Sequence, residues 1–284
     1  MKKVVSIITA IAIVLGALSC GGVSGVDAHA ASFKYSYGVF LGVNPEDSSR
    51  MDDYKTIVID AAYYTKKQIN KLKKAGHTVY SYLNVGSIET FRSYYNRFED
   101  ITLGEYENWD GEYWMDVSSA KWRKFTVNTL AKRLVKKGVD GFFIDNCDVY
   151  YYCLENRADR AEAVYKGLNK TLKNLKKKYS LPIVINGGDT YVKKRISSGK
   201  KLWFDAVNQE SVFSSITDYD EPAFGTQSAE DTAYYKKYLK KAKKAGLKVY
   251  LLEYTTDKKL KKKIRRFCKK KKYGYYISSS LELD

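Results

Sequence analysis

Histidine is almost missing from this chain of 284 residues, with only His29 and His77 present. His29 falls in a segment read below as a removable leader, and His77 lies between a helix end and a strand start. His-ligated zinc sites, histidine general bases and Ser-His-Asp triads are therefore nearly excluded. Hydrolytic chemistry here has to run on carboxylates, with tyrosine as the available helper. Proline is almost as rare, at three residues, and no Ser/Gly-rich stretch interrupts the middle of the chain. Nothing reads as an interdomain linker.

The apolar run Val4–Leu18 is shorter than the ~20 residues that cross a bilayer. Lys2 and Lys3 precede it, and Ala28-His29-Ala30 follows as a small-x-small cleavage motif. That layout predicts a secretory signal peptide over 1–30, cleaved before Ala31. The expected destination is extracellular. The alternative is a lipid anchor on Cys20, although Ala17-Leu18-Ser19 is a poor lipobox. Residues 31–284 would then form one domain, close to the ~250 residues typical of a (β/α)8 barrel. Its cysteines are Cys147, Cys153 and Cys268. Export permits disulfides, and Cys147 and Cys153 could close a small staple or remain unpaired small side chains. Cys268 occupies an apolar helix position.

Acidic residues are outnumbered, 32 against 50 Lys and Arg, for a formal charge of +18. The excess is confined to helical runs such as TKKQINKLKKAG and KKLKKKIRRFCKKKK. In the latter, Leu260, Ile264, Phe267 and Cys268 recur at helical spacing with lysines on the other face. Residues 99–116 and 202–235 are the opposite, rich in acids and free of Lys and Arg. Nucleic acid would need basic residues interleaved with aromatics. Here the aromatics keep acidic company, so no nucleic-acid partner is expected. The lysine faces could touch an anionic cell wall as an effect of location.

A phrase repeats: KKAGHTVYSY (73–82), KKAGLKVYLL (243–252) and the looser VKKGVDGFFI (135–144). Each is a lysine-rich helix end, a glycine suited to a left-handed cap, and a continuous apolar strand. Strands are expected near Ser36–Phe40, Thr56–Ile59, Thr78–Leu83, Gly141–Ile144, Ile183–Ile185, Trp203–Val207, Lys248–Leu252 and Tyr275–Ile277. Eight strands alternating with helices predict a single-domain TIM barrel. No Gly-rich phosphate loop follows a strand, which weakens an open doubly wound sheet.

TIM barrels build active sites at the C-terminal ends of their strands. Those ends read Asp60; Asn84 through Glu89; Asp116; Asp145, Asn146 and Asp148; Asn186; Glu210; and Glu253-Tyr254. A single carboxylate there is by default a soluble loop residue, but several on one rim repel and have to serve something. Tyr63, Tyr64, Tyr82, Trp109, Trp114, Tyr150–Tyr152 and Tyr254 suit stacking on sugar rings, and several could equally just cover the rim.

The segments YSYLNVGSIETFRSY, WDGEYWMDVSS, GVDGFFIDNCDVY, VING, VNQESVF and VYLLEY resemble, in this order, the glycoside hydrolase family of endo-α-1,4-polygalactosaminidases and related bacterial barrels. The likeness runs from about Tyr35 to the end. DGxxxDNxD is its most specific piece, supported by the S-I-E-x-x-R segment. It implies an endo-glycosidase acting on a galactosamine-containing polysaccharide, retaining or inverting. The family's acid pair maps onto Asp145 as nucleophile or base and Glu210 as general acid. Such hydrolysis needs two carboxyls ~5–9 Å apart. Asp60, Glu89, Asp116, Asp148 and Glu253, with Tyr82, Arg92, Asn146, Asn186 and Tyr254, would hold the substrate. The implied mechanism needs no metal or cofactor, and a monomer suffices. A non-catalytic carbohydrate-binding barrel and a glycosidase for another glycan are the competing readings.

Overall fold

The computed structural model describes residues 32–107 and 109–284. The expected leader and Cys20 lie outside the described residues. Eight parallel strands form one sheet in chain order: β1 (Tyr35–Phe40), β2 (Tyr54–Ile59), β3 (Thr78–Asn84), β4 (Gly141–Asp145), β5 (Ile183–Asn186), β6 (Ala206–Glu210), β7 (Lys248–Tyr254) and β8 (Gly274–Ser278). The sheet curls until its edges meet, and a Cβ on Gly274 of β8 would stand 3.3 Å from Tyr37 Cβ on β1. With helices packed outside, this is a nearly closed TIM barrel.

The expected strands are all present, with shifted ends. The largest shift is in β6, which starts at Ala206 rather than Trp203. Asp205 accounts for it. Its carboxylate accepts the Ile183 N–H at 2.8 Å and pairs with Lys176 at 2.7 Å, tying the chain down before the strand begins.

The helices are α1 (Lys66–Lys74), α2 (Ala120–Phe125), α3 (Ala131–Lys137), α4 (Val149–Asn156), α5 (Ala158–Tyr179), α6 (Asp189–Ser197), α7 (Ala229–Lys244) and α8 (Lys258–Lys271). Thr65 caps α1 in a capping box with Gln68, satisfying two otherwise orphaned backbone donors. In α8, Leu260, Ile264 and Cys268 are buried while the lysines stay in water. Burying one such aliphatic side chain is worth about 1.5–3 kcal/mol. The glycine of each repeated phrase, Gly76, Gly138 and Gly246, has φ of +97°, +99° and +87°. A side chain there would be strained, so glycine lets each helix stop and turn into the next strand.

Two insertions leave the strand tops. After β3 comes an antiparallel sheet of Ser87–Glu89, Thr102–Glu105 and Glu112–Met115; after β6 comes a hairpin of Ser214–Asp218 and Ala223–Thr226. No described helix is long and apolar enough to cross a membrane. His77 sits at the opposite end of the barrel, its Nδ1 2.7 Å from the Tyr54 carbonyl oxygen.

Candidate active site

Asp145 is the last residue of β4 and Glu210 the last of β6, with β5 between them. Asn186, ending β5, joins the two. Its Nδ2 donates to Asp145 Oδ1 at 2.9 Å and to Glu210 Oε1 at 2.7 Å, so these oxygens are at most the sum, 5.6 Å, apart. The amide cannot flip without loss. Its Oδ1 accepts from Asn208 Nδ2 at 2.7 Å, and Asn208 Oδ1 accepts the Tyr37 hydroxyl at 3.1 Å. A polar chain running up the barrel interior thus fixes which face of Asn186 meets the carboxyls. Tyr254, ending β7, donates its hydroxyl to Glu210 Oε2 at 2.7 Å.

Burial raises the pKa of both carboxyls. For Asp145 the shift is large, because burial is joined by the nearby Glu210 charge, against one opposing hydrogen bond from Asn186. For Glu210, bonds from Tyr254 and Asn186 oppose burial. Two groups this close titrate as a unit, and a pair that retains a proton near neutrality can offer an acid and an ionised carboxylate together.

Both carboxyls open into a cleft of about 570 Å³, within the size range of ligand sites. Asp60, Tyr82, Glu89, Arg92, Asn146, Asp148, Asn186 and Tyr254 also line it. Arg92 bridges Asp60 at 3.2 Å and Glu89 at 3.0 Å, so those acids already have a cation. Exposed Tyr63 and Phe91 flank its guanidinium. Asp148 accepts the Gly188 N–H at 2.9 Å and is pushed up to about 7 by burial. Asn146 adopts φ +63°, rare for a residue with a side chain. Its amide holds that turn by donating to Ser87 Oγ at 2.5 Å and Glu112 Oε1 at 3.0 Å.

Asp116 and Glu253, expected to hold the substrate, do not line the cleft. Asp116 follows an inserted strand rather than a barrel strand. Its carboxylate pairs with Arg160 and accepts the Ser118 N–H at 2.9 Å, closing the turn that leads into α2. Glu253 precedes Tyr254, and adjacent strand residues face opposite ways. With Tyr254 in the cleft, Glu253 is fully buried outside it, accepting from Phe213 N, Ser214 N and Ser214 Oγ. The staple is absent as well. Cys147 and Cys153 are free, buried thiols, one in the turn after β4 beside Gly188 and the other inside α4.

Sequence reasoning passed over Glu112, Tyr106, Phe91 and Tyr219, all on the cleft wall. Glu112 accepts from Asn84 at 3.1 Å and from Ser87, and burial raises its pKa. The acid-rich segment 99–116 was the signal. Choosing Glu112 within it required knowing how the inserted sheet folds over the barrel.

A model of glycoside-hydrolase family GH114 matches residues 24–281. The chain belongs to glycoside-hydrolase family GH114. An uncharacterized protein of Methanocaldococcus jannaschii is 30% identical over 112 residues, 38% of this chain and 32% of that protein. One of Thermotoga maritima is 25% identical over 126 residues, 42% of this chain and 39% of its own. The chain thus spans well under half the length of these relatives. Among solved structures, the glycoside hydrolase domain of PelA from Pseudomonas aeruginosa has a TM-score of 0.72 at 18% identity, covering 88% of this chain and 96% of that one. Ega3 of Aspergillus fumigatus, in complex with galactosamine, has a TM-score of 0.63 at 19% identity, covering 90% and 94%. At such identities the likeness is one of fold. The barrel of this GH114 chain brings two carboxyls to one amide.

Proposed function

We propose that this GH114 enzyme is exported and cleaves a galactosamine-containing polysaccharide at internal bonds, using Asp145 and Glu210. The observation that carries the reading is the shared Asn186 amide, which keeps Asp145 Oδ1 and Glu210 Oε1 at 2.9 and 2.7 Å from one nitrogen. With those oxygens at most 5.6 Å apart, the pair is closer to the ~5–5.5 Å spacing of retaining glycosidases than to the ~6.5–9.5 Å that leaves room for an inverting water, which supports a retaining reaction. In the first step one carboxylate of the pair attacks the anomeric carbon, the bond to the leaving oxygen breaks, and the partner carboxyl protonates that oxygen as it departs. In the second, the partner takes a proton from water, the resulting hydroxide equivalent displaces the attached carboxylate, and the product leaves with its configuration retained.

Substrate class follows from local charge. Asp148 and Glu112 line the cleft, and among the described residues neither has a Lys or Arg within ion-pair distance. An ammonium on an amino sugar would supply the missing counter-charge. The structural similarity to Ega3, solved with galactosamine, supports the same class.

The test is hydrolysis of deacetylated and acetylated galactosamine polymers, followed as new reducing ends. Asp145→Asn and Glu210→Gln should each lower the rate by at least ~10³-fold, and NMR of the first product should show the substrate's anomeric configuration. Full activity in either variant, or an inverted product, would sink the mechanism; activity only on glycans without amino groups would sink the substrate class.

A further inference from the structure

Trp109 and Tyr219 touch across the mouth of the cleft, their ring centroids 5.9 Å apart and their planes at 76°. Trp109 lies in the turn between Thr102–Glu105 and Glu112–Met115; Tyr219 lies at the tip of the hairpin that follows β6. One insertion leaves β3, the neighbour of the Asp145 strand, the other leaves β6, the strand that ends in Glu210, and both residues line the cleft. Each is well exposed, Trp109 at 44% and Tyr219 at 37%.

Both feet of this span are anchored. On one side Tyr106 stacks on Trp114 at 4.0 Å and Trp114 on Tyr152 at 5.4 Å, tying the turn to α4. On the other, Phe224 stacks on Tyr254 at 6.0 Å, and Tyr254 is the residue bonded to Glu210. The middle is weak. Among the described residues no hydrogen bond or ion pair joins the two tips, only the edge-to-face ring contact. Such a ring pair is worth only about 0.5–1.5 kcal/mol beyond the area it buries.

We propose that Trp109 and Tyr219 form an aromatic arch that opens to admit a polysaccharide between chain ends, then closes over it and makes cleavage processive. Sugar rings present CH-rich faces to aromatic planes, so a chain beneath the arch gains stacking from above while the carboxyls work from below. After one cut the arch keeps the remaining chain in the cleft, and the chain slides to the next bond without dissociating. The inference rests on the polysaccharide-cleaving reading given above.

The test compares the full chain with Trp109→Ala, Tyr219→Ala and the double variant on a soluble galactosamine polymer. New reducing ends are counted separately in released oligosaccharides and in the retained polymer. Their ratio is internal to each protein, so a uniform loss of rate does not change it. The arch predicts at least a threefold fall in the released-to-retained ratio for the double variant. Trp109→Phe with Tyr219→Phe keeps both rings and should hold the ratio, which guards against misfolding of the alanine proteins. An unchanged ratio in the double alanine variant, with hydrolysis intact, overturns the arch alone. If the unsubstituted chain cuts no galactosamine polymer, the substrate reading fails, and the arch as a grip on that polymer fails with it.

Discussion

Gly86 and Asn146 meet backbone to backbone: a Cβ added to Gly86 would stand 1.6 Å from the Asn146 carbonyl oxygen. The Gly86 carbonyl in turn accepts the Met115 N–H at 2.8 Å, so this contact holds the first insertion against the end of β4. Gly86→Ala cannot be absorbed by a rotating side chain, because the obstacle is main chain. We expect it to cost ~3 kcal/mol or more of stability, the upper range for overpacking, and to displace Asp145. Urea unfolding beside a hydrolysis assay checks this, and a wild-type midpoint would contradict the close approach.

Removing the shared amide should move the pH optimum. Asn186 donates to both carboxylates and lowers the pKa of each. In Asn186→Ala both values rise, so the acidic and alkaline limbs of the rate profile shift together to higher pH. The maximal rate should fall by roughly 10²-fold, as when one preorganised donor is lost. A lower rate with an unmoved profile would mean that Asn186 supports the fold rather than the charge balance.

Glu253 makes a pH-dependent contribution to stability. Burial pushes its carboxyl up to about 7, against an ordinary 4.5. The folded state therefore binds its proton more tightly than the unfolded state. The associated stability is fully present below pH 4.5 and is lost as pH rises toward 7, amounting to about 3 kcal/mol at most. Glu253→Gln keeps one oxygen for Phe213 N, Ser214 N and Ser214 Oγ, all of which donate to Oε2, and carries no buried charge, so it should gain on the unsubstituted protein as pH rises from 5 to 7. Its contribution to the pH slope should also vanish. Guanidinium midpoints at pH 5 and 7 for both proteins measure the difference.

Glu112 and Asp116 lie on the same acidic segment and should behave differently. Glu112 faces the cleft, so Glu112→Gln should raise KM for a deacetylated amino-sugar substrate several-fold more than for its acetylated counterpart. Asp116 pairs with Arg160 beneath the insertion. Asp116→Asn should lower stability by about 1–3 kcal/mol, as an uncompensated cation is left behind, with little effect on KM. Equal KM effects would place both acids at the substrate.

The barrel was legible because its signals are local: apolar strands, helical lysine stripes and glycine caps repeat along the chain. Strand ends are legible too and put Asp145, Asn186 and Glu210 on the rim, while singling out Asp145 and Glu210 as the acid pair comes from the family resemblance. What failed was knowledge of facing. In the sequence Glu253 and Tyr254 both look like rim residues, although strand geometry lets only one of two neighbours turn inward. Asp116 ends an apolar stretch that looks like a stave and is an inserted strand. Glu112 and Tyr219 reach the cleft only through long-range folding of the insertions, which no periodicity in their own segments announces.

The two insertions spring from β3 and β6 and return to helices, leaving the registers of the eight staves untouched. Under the proposed function, bond cleavage belongs to the stave ends and the hold on the polymer to the insertions, which are separate pieces of chain. Grafting different crossings between the same footings could change the diet of this scaffold while its cutting edge stays as it is.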